Sequence, residues 1–440
     1  MVKLEYLLPL FLRGMPHRMT AWQSRLSAKI DQLSESLVEF RRNLHRNPEV
    51  SGEEFQTSLT LYQILGDLGL AVRMGPDGRG VIADLDTFDD DGSTAIALRG
   101  DIDALPIHDC KEVDYCSRKD GVMHACGHDA HATVILGAAQ ALQQMTRNGE
   151  LPWPIRARFI FQPAEEICTG ARDMIKAGAL EDVSAIMATH MEPGLPFGKV
   201  GFRKGELTAS CEEIRITIHG SSGHGARPYE ANDPIAAAAQ LINTLYLALP
   251  RVTQTHEAVV ASFGQIHGGA SPNVIPETVK LDGTLRTLLP QTRLDTIQHI
   301  HRIAEGIAMA TQTEIDVQFE LGTDAVRNDA NLIDLLKESC VELMGMPGVY
   351  DIPRASMGGE DFSFYLDHVP GAMVRLGCAT PGSDHWPMLH STHFDIDERV
   401  LPFGSNLLAR SVVAAFEPGS RWHQQLLTSR TSSHHDSPPD

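Results

Sequence analysis

Three short, mainly apolar stretches lead into ionisable residues: TAIALRGDIDALP (94–106), IRARFIFQP (155–163) and SAIMATH (184–190). Their apolar cores, AIAL, FIF and AIMA, are too short for a typical helix, and only the second stretch alternates, at Arg156 and Arg158. A strand apolar along its length has both faces covered, as in a parallel sheet packed between helices. Helical patterns lie around them, at 24–46, at 56–69 and in DAHATVILGAAQAL (129–142). Strands spaced by helices predict an α/β domain with a mostly parallel central sheet. In such sheets, sites are built at the carboxyl ends of the strands. Here those ends carry Asp101 and Asp103, then Glu165 and Glu166, then His190.

The loop MHACGHDAH (123–131) precedes a helix and can reach the same edge. Cys126 and His128 flank a glycine, so a tight turn can bring both side chains together. Alone, a Cys-x-His pair reads as a buried cysteine beside a capping histidine, and a Glu-Glu doublet as surface charge. Their shared placement at strand ends points instead to a transition-metal site. Imidazole and carboxylate suit Zn²⁺, Mn²⁺, Co²⁺ or Ni²⁺, and thiolate favours the softer of these. If the Glu165-Glu166 doublet is extended, its side chains point opposite ways. One can then hold metal while the other faces substrate as a base, which is the machinery of hydrolysis.

The 440 residues are enough for two or three domains. A net charge of −20 argues against a nucleic-acid partner. Seven scattered cysteines argue against a disulfide framework and for a reducing, cytoplasmic setting. LEYLLPLFL, near the start, is too short to span a bilayer, and no membrane association is expected. Residues 1–22 read as an extension, with Met1, Met15 and Met19 all open as starts. Residues 419–440 read as a polar, disordered tail. Between 212 and 321 the pattern changes to βαββαβ, a ferredoxin-like unit. The expected divisions are therefore 23–210 and 323–418 for a catalytic domain, with 211–322 inserted as a dimerisation (lid) domain. An unpaired edge of that small sheet, and the very apolar helix DPIAAAAQLINTLYLALP, suit an isologous dimer.

Nine stretches then carry a resemblance, in order, across roughly residues 40–400: LHRNPEVSGEE, RGDIDALPI, GVMHACGHDAH, FQPAEE, SSGHGARP, DPIAAAAQLI, NVIPETVKLDGTLRT, MGGEDFSFYL and LHSTHFDIDE. The sequence resembles the amidohydrolase branch of the aminoacylase/carboxypeptidase metallopeptidases, which includes hippurate and indole-acetyl–amino-acid hydrolases. The resemblance implies a metal-dependent hydrolase of N-acyl amino acids, working as a homodimer through the inserted domain. It implies two divalent metal ions per subunit, Mn or Zn, with Co or Ni as alternatives. Their ligands would be Cys126, His128, Glu166, His190 and His390, with His385 the alternative to His390. Glu165 would be the general base, and Asp103 would orient a ligand from behind. Asp101 stands where other branches have a metal-binding histidine and is left outside the ligand set, as is His45. His224 would reach the partner subunit's site to stabilise the oxyanion. Asn273, Arg286 and Gly359 would hold the substrate. The segment ICTGA after QPAEE departs from the expected Gly-rich run. A carboxypeptidase or dipeptidase of the same fold, an inactive ligand-binding relative and a Cys126-nucleophile hydrolase are the alternatives.

Overall fold

The computed structural model describes residues 20–88, 93–383 and 385–428. They form two compact units, one of Met1–Gly205, Asn328–Pro353 and Tyr365–Asp440, the other of Glu206–Arg327 and Arg354–Phe364.

The first unit is built on an eight-stranded mixed sheet. Its centre is four parallel strands in the order Arg156–Gln162, Ala95–Asp101, Val183–Pro196 and Gly371–Ala379. Every residue of Ala95–Asp101 is buried, so the apolar runs are uninterrupted because neither face meets water. The helices Ala21–Arg46, His128–Arg147 and Val400–Ala415 pack on one another. Outer strands Val81–Asp86 and Val200–Phe202 join the centre antiparallel. Register fixes the edge where side chains gather. Asp101 pairs with Gln162, and Arg99 with Ala188. Two residues beyond Arg99 and Ala188, Asp101 and His190 therefore stand level, with Asp103 and Glu165 just past the strand ends.

Both terminal expectations need correction. A helix begins at Ala21, inside the segment read as an extension, and the Thr20 N–H donates to the Gln23 side chain at 2.8 Å. Trp22 packs edge-on to Trp153, with ring centroids 6.1 Å apart. At the other end Arg421–Thr428 is helical, not a disordered tail, because Trp422 and Leu426, one turn apart, bury together. Residues 1–19 and 429–440 lie outside the described residues.

The second unit holds a four-stranded antiparallel sheet in the order Val259–Gly268, Thr278–Thr287, Ser210–His219 and Glu314–Thr323. With helices Pro234–Val252 and Pro290–Thr311, the chain order is βαββαβ. Ile214, Ile216 and Ile218 are buried while Glu213 and Arg215, alternating with them, are exposed, the period-2 pattern of a one-sided sheet. Asp233 caps Pro234–Val252 through Ile235 N at 2.9 Å, and Pro234 supplies the first-turn φ. That helix is long and apolar enough to cross a membrane by length and composition. Its Ala237, Ala238, Leu241, Leu245 and Leu249 are nevertheless buried in the unit's own core. The unit reaches beyond the expected 211 and 322. It also takes in Arg354–Phe364, because Ser356 N donates to Leu207 O and Ala209 N to Gly358 O.

Candidate metal centre

Gly127 makes the turn that the spacing of Cys126 and His128 requires. Its φ is +88°, and a Cβ there would sit 2.9 Å from Met191 Cγ, so glycine is needed both for conformation and for space. His128 opens its helix and points its Nδ1–H at Asp103 Oδ1, 3.0 Å away. Asp103 Oδ2 in turn accepts from Ser51 Oγ at 2.7 Å and from Glu166 N at 3.1 Å. His190 Nδ1 donates to Met191 O at 2.8 Å, which leaves Nε2 as a lone pair 3.7 Å from Cys126 Sγ. Both histidines thus have one nitrogen engaged behind the site and one bare nitrogen facing it, the arrangement of metal-binding imidazoles.

The donors form overlapping triads whose ligand atoms lie within 4.8 Å of one another: Cys126, His128 and His190; Cys126, Glu166 and His390; His128, Glu165 and Glu166. His128 Nε2 and Glu166 Oε1 are buried without any hydrogen-bond partner. Unpaired buried polar atoms are costly, and a cation removes both debts at once. The residues therefore fit a pair of divalent ions with mixed thiolate, imidazole and carboxylate donors.

The electrostatics agree. Burial pushes the Cys126 thiol well up, and Glu166 and Glu165 push the same way against His128; a bound cation reverses that preference. Burial, reinforced by Arg375, keeps His190 neutral, the form that binds metal. Burial disfavours an Asp103 carboxylate, yet the hydrogen bonds from His128 and Ser51 hold it below its usual range.

The structure brings Cys126, His128, Glu165, Glu166, His190 and His390 together, with Asp103 behind His128. His390 Nε2 lies 3.5 Å from Glu166 Oε1, and His390 N donates to Ala125 O beside the cysteine. His385 is exposed and belongs to none of these triads. His45 is buried between Asp129 and Asp109, at 2.7 and 3.3 Å. Four residues lie in the second unit. His224 and Asn273 are neighbours there, on the short ladder where Val274 pairs with His224. Arg286 donates to Met357 O at 2.8 Å, and Gly359 packs so closely that a Cβ would meet Thr323 Oγ1 at 2.9 Å. Within MGGEDFSFYL, helix is confined to the single turn Ser363–Leu366.

One premise fails. Glu165 and Glu166 are not extended: the strand ends at Gln162, and residues 165–168 form a turn entered through Ala164 at φ +52°. Both acids face His128 Nε2, at 3.9 and 3.8 Å, and Glu166 Oε1 also lies 3.5 Å from His390 Nε2. Cys168, in the segment that departs from the expected Gly-rich run, has φ +57°. That left-handed position is where glycine is free of strain. Sequence reasoning also passed over His131, although it follows His128 by three residues and so shares its helix face.

Residues 97–414 match Peptidase family M20/M25/M40. A hydrolase of Synechocystis sp. is 42% identical over 84% of this chain and 92% of its own length. The N-acetylcysteine deacetylase of Bacillus subtilis is 37% identical over 87% of this chain and 97% of its own. Among solved structures, the Bacillus subtilis YXEP protein, described as a dinuclear metal-binding peptidase from the M20 family, superimposes with TM-score 0.75. It is 35% identical, with 88% of this chain and 99% of that one covered.

Proposed function

The chain belongs to peptidase family M20/M25/M40 and is a hydrolase of amides, and from that premise we propose that it deacylates N-acyl amino acids at two divalent metal ions. The observation that carries the reading is the set of overlapping triads around two unpartnered buried atoms, His128 Nε2 and Glu166 Oε1. Cys126, His128, Glu166, His190 and His390 would hold the ions, Mn²⁺ or Zn²⁺ before Co²⁺ or Ni²⁺. When bound, they supply Lewis acidity to a water and to the acyl carbonyl. Glu165 takes the proton from the attacking water and returns it to the leaving amine. Asp103 keeps His128 in its Nδ1–H tautomer. A relative named for N-acetylcysteine supports an acyl amino acid as the substrate class. The absence of any disulfide among the seven cysteines suits a reducing, cytoplasmic setting. A panel of N-acetyl and N-benzoyl amino acids, set against free dipeptides, tests this by release of free amino acid. Turnover of the acyl amino acids at least tenfold above the dipeptides is expected. Preference for dipeptides would favour the peptidase alternative.

We infer a homodimer, a reading supported by how far apart the expected substrate-binding residues lie. His219, close to His224, pairs with Thr278, whereas Arg286 lies eight residues further along the same strand. That is about 26 Å at roughly 3.3 Å per residue, too far for one small substrate to touch both ends. Two copies of the chain would solve this, with His224 and Asn273 from one serving beside Arg286 and Gly359 of the other. The Val259–Gly268 edge strand and exposed Ile235, Tyr246 and Leu247 offer the isologous surface. His224→Ala and Glu165→Gln subunits are each expected to be nearly inactive. Mixed and exchanged, they should recover up to about a quarter of wild-type activity, because one site per heterodimer is intact. No recovery despite confirmed exchange would remove His224 from the partner's site.

A further inference from the structure

The third histidine of MHACGHDAH has no part in the chemistry above, yet His131 is fully buried and both ring nitrogens are engaged. Its Nε2 accepts the Met191 N–H at 2.8 Å. The proton therefore sits on Nδ1, which donates to Asp101 Oδ1 at 2.6 Å. Asp101, His128 and His131 are close enough to suggest another cation site. His131 has no lone pair left to offer one. The Asp101 carboxylate is similarly committed, because its Oδ2 accepts from Arg99 Nη1 at 2.6 Å and Arg99 Nε donates to Gln162 Oε1 at 2.8 Å.

Met191 is where this chain of bonds meets the metal centre. Its N–H is held by His131, and its carbonyl accepts the Nδ1–H of His190. The two imidazoles lie 4.7 Å apart, centroid to centroid. The Met191 side chain is pinned as well, against Gly127 in the turn between Cys126 and His128. The His190 ring can turn only if the Met191 backbone moves, and that backbone is tied through His131 to the end of the neighbouring strand.

We propose that His131 is a positioning residue for His190, a strut from Asp101 to Met191 that sets the place of the His190 ring and keeps its proton on Nδ1. It does so without binding metal itself. The inference rests on the reading of His190 as a ligand.

Titrating the metal-free protein with Co²⁺, followed by visible absorption, tests both separately. Wild type is expected to bind two equivalents. His190→Ala should lose one. His131→Asn can still donate to Asp101 but cannot reach Met191. It should bind one equivalent normally and the other about 10–100-fold more weakly, with a changed cobalt spectrum. Asp101→Asn should weaken the same equivalent by less. If His190→Ala keeps both equivalents, the ligand reading falls, and this inference with it. If His190→Ala loses one but His131→Asn binds both at wild-type affinity, the strut is overturned and the ligand reading stands. Equal weakening of both equivalents, with a lowered melting temperature of the metal-free protein, would make His131 a packing residue and overturn the proposal. If His131→Asn does not fold, Asp101→Asn decides, and an unchanged second equivalent there overturns it.

Discussion

Glu165→Gln is expected to lower turnover at least about 100-fold while metal content stays at the wild-type level. Gln keeps the size and hydrogen-bonding reach of Glu but cannot take a proton from water. Glu165 is buried, and its Oε2 lies 3.9 Å from His128 Nε2, so the carboxylate stands beside the ligand cluster. Glu166 Oε1 lies 3.8 Å from His128 and 3.5 Å from His390, yet it is buried without a hydrogen bond. Under the proposed roles, Glu166→Gln should lose metal, and Glu165→Gln should lose the proton transfer. Elemental analysis checks this directly. A Glu165→Gln protein emptied of metal would reverse the assignment.

Cys126 is expected to behave in opposite ways with and without metal. In the loaded protein it is a coordinated thiolate and should resist alkylation. In the stripped protein, burial and the neighbouring Glu166 and Glu165 hold it as a thiol well above its usual range. Its alkylation should then be slow at neutral pH and accelerate as pH rises, because only the thiolate reacts. Modification at that stage should block metal reloading and abolish activity, a loss of at least about 100-fold. Mass spectrometry of labelled peptides against pH, with and without chelator, reads the result. Equal labelling with and without metal at high pH, where the stripped protein's thiol should ionise and react, would show that Cys126 is not a ligand.

The sheet was legible in the sequence because parallel strands covered on both faces leave uninterrupted apolar runs, and Ala95–Asp101 is buried throughout. The edge where the donors gather was legible for the same reason, since each run stops on the residue it delivers. The orientation of Glu165 and Glu166 was not. It depends on a turn entered through a left-handed Ala164, a conformation that an alanine does not announce. Nor was the support behind the site. Arg41 Nε holds Asp129 Oδ2 at 2.8 Å, and Arg41 also pairs with Asp395 at 3.2 Å. These partners are far apart in sequence, so no local spacing links them. His131 was within reach, three residues beyond a candidate ligand, but its role depends on the Met191 backbone, which only the fold brings near. The placement of His390 beside Cys126 likewise depends on tertiary structure, through the bond from His390 N to Ala125 O.

Activity measured while metal is returned to the chelated protein tests the central claim most directly. Metal-free protein should not hydrolyse an N-acyl amino acid. Added Mn²⁺ or Zn²⁺ should restore turnover, reaching its plateau near two equivalents per subunit, as expected for a co-catalytic pair. Undiminished hydrolysis by protein shown by elemental analysis to hold no metal would contradict the account.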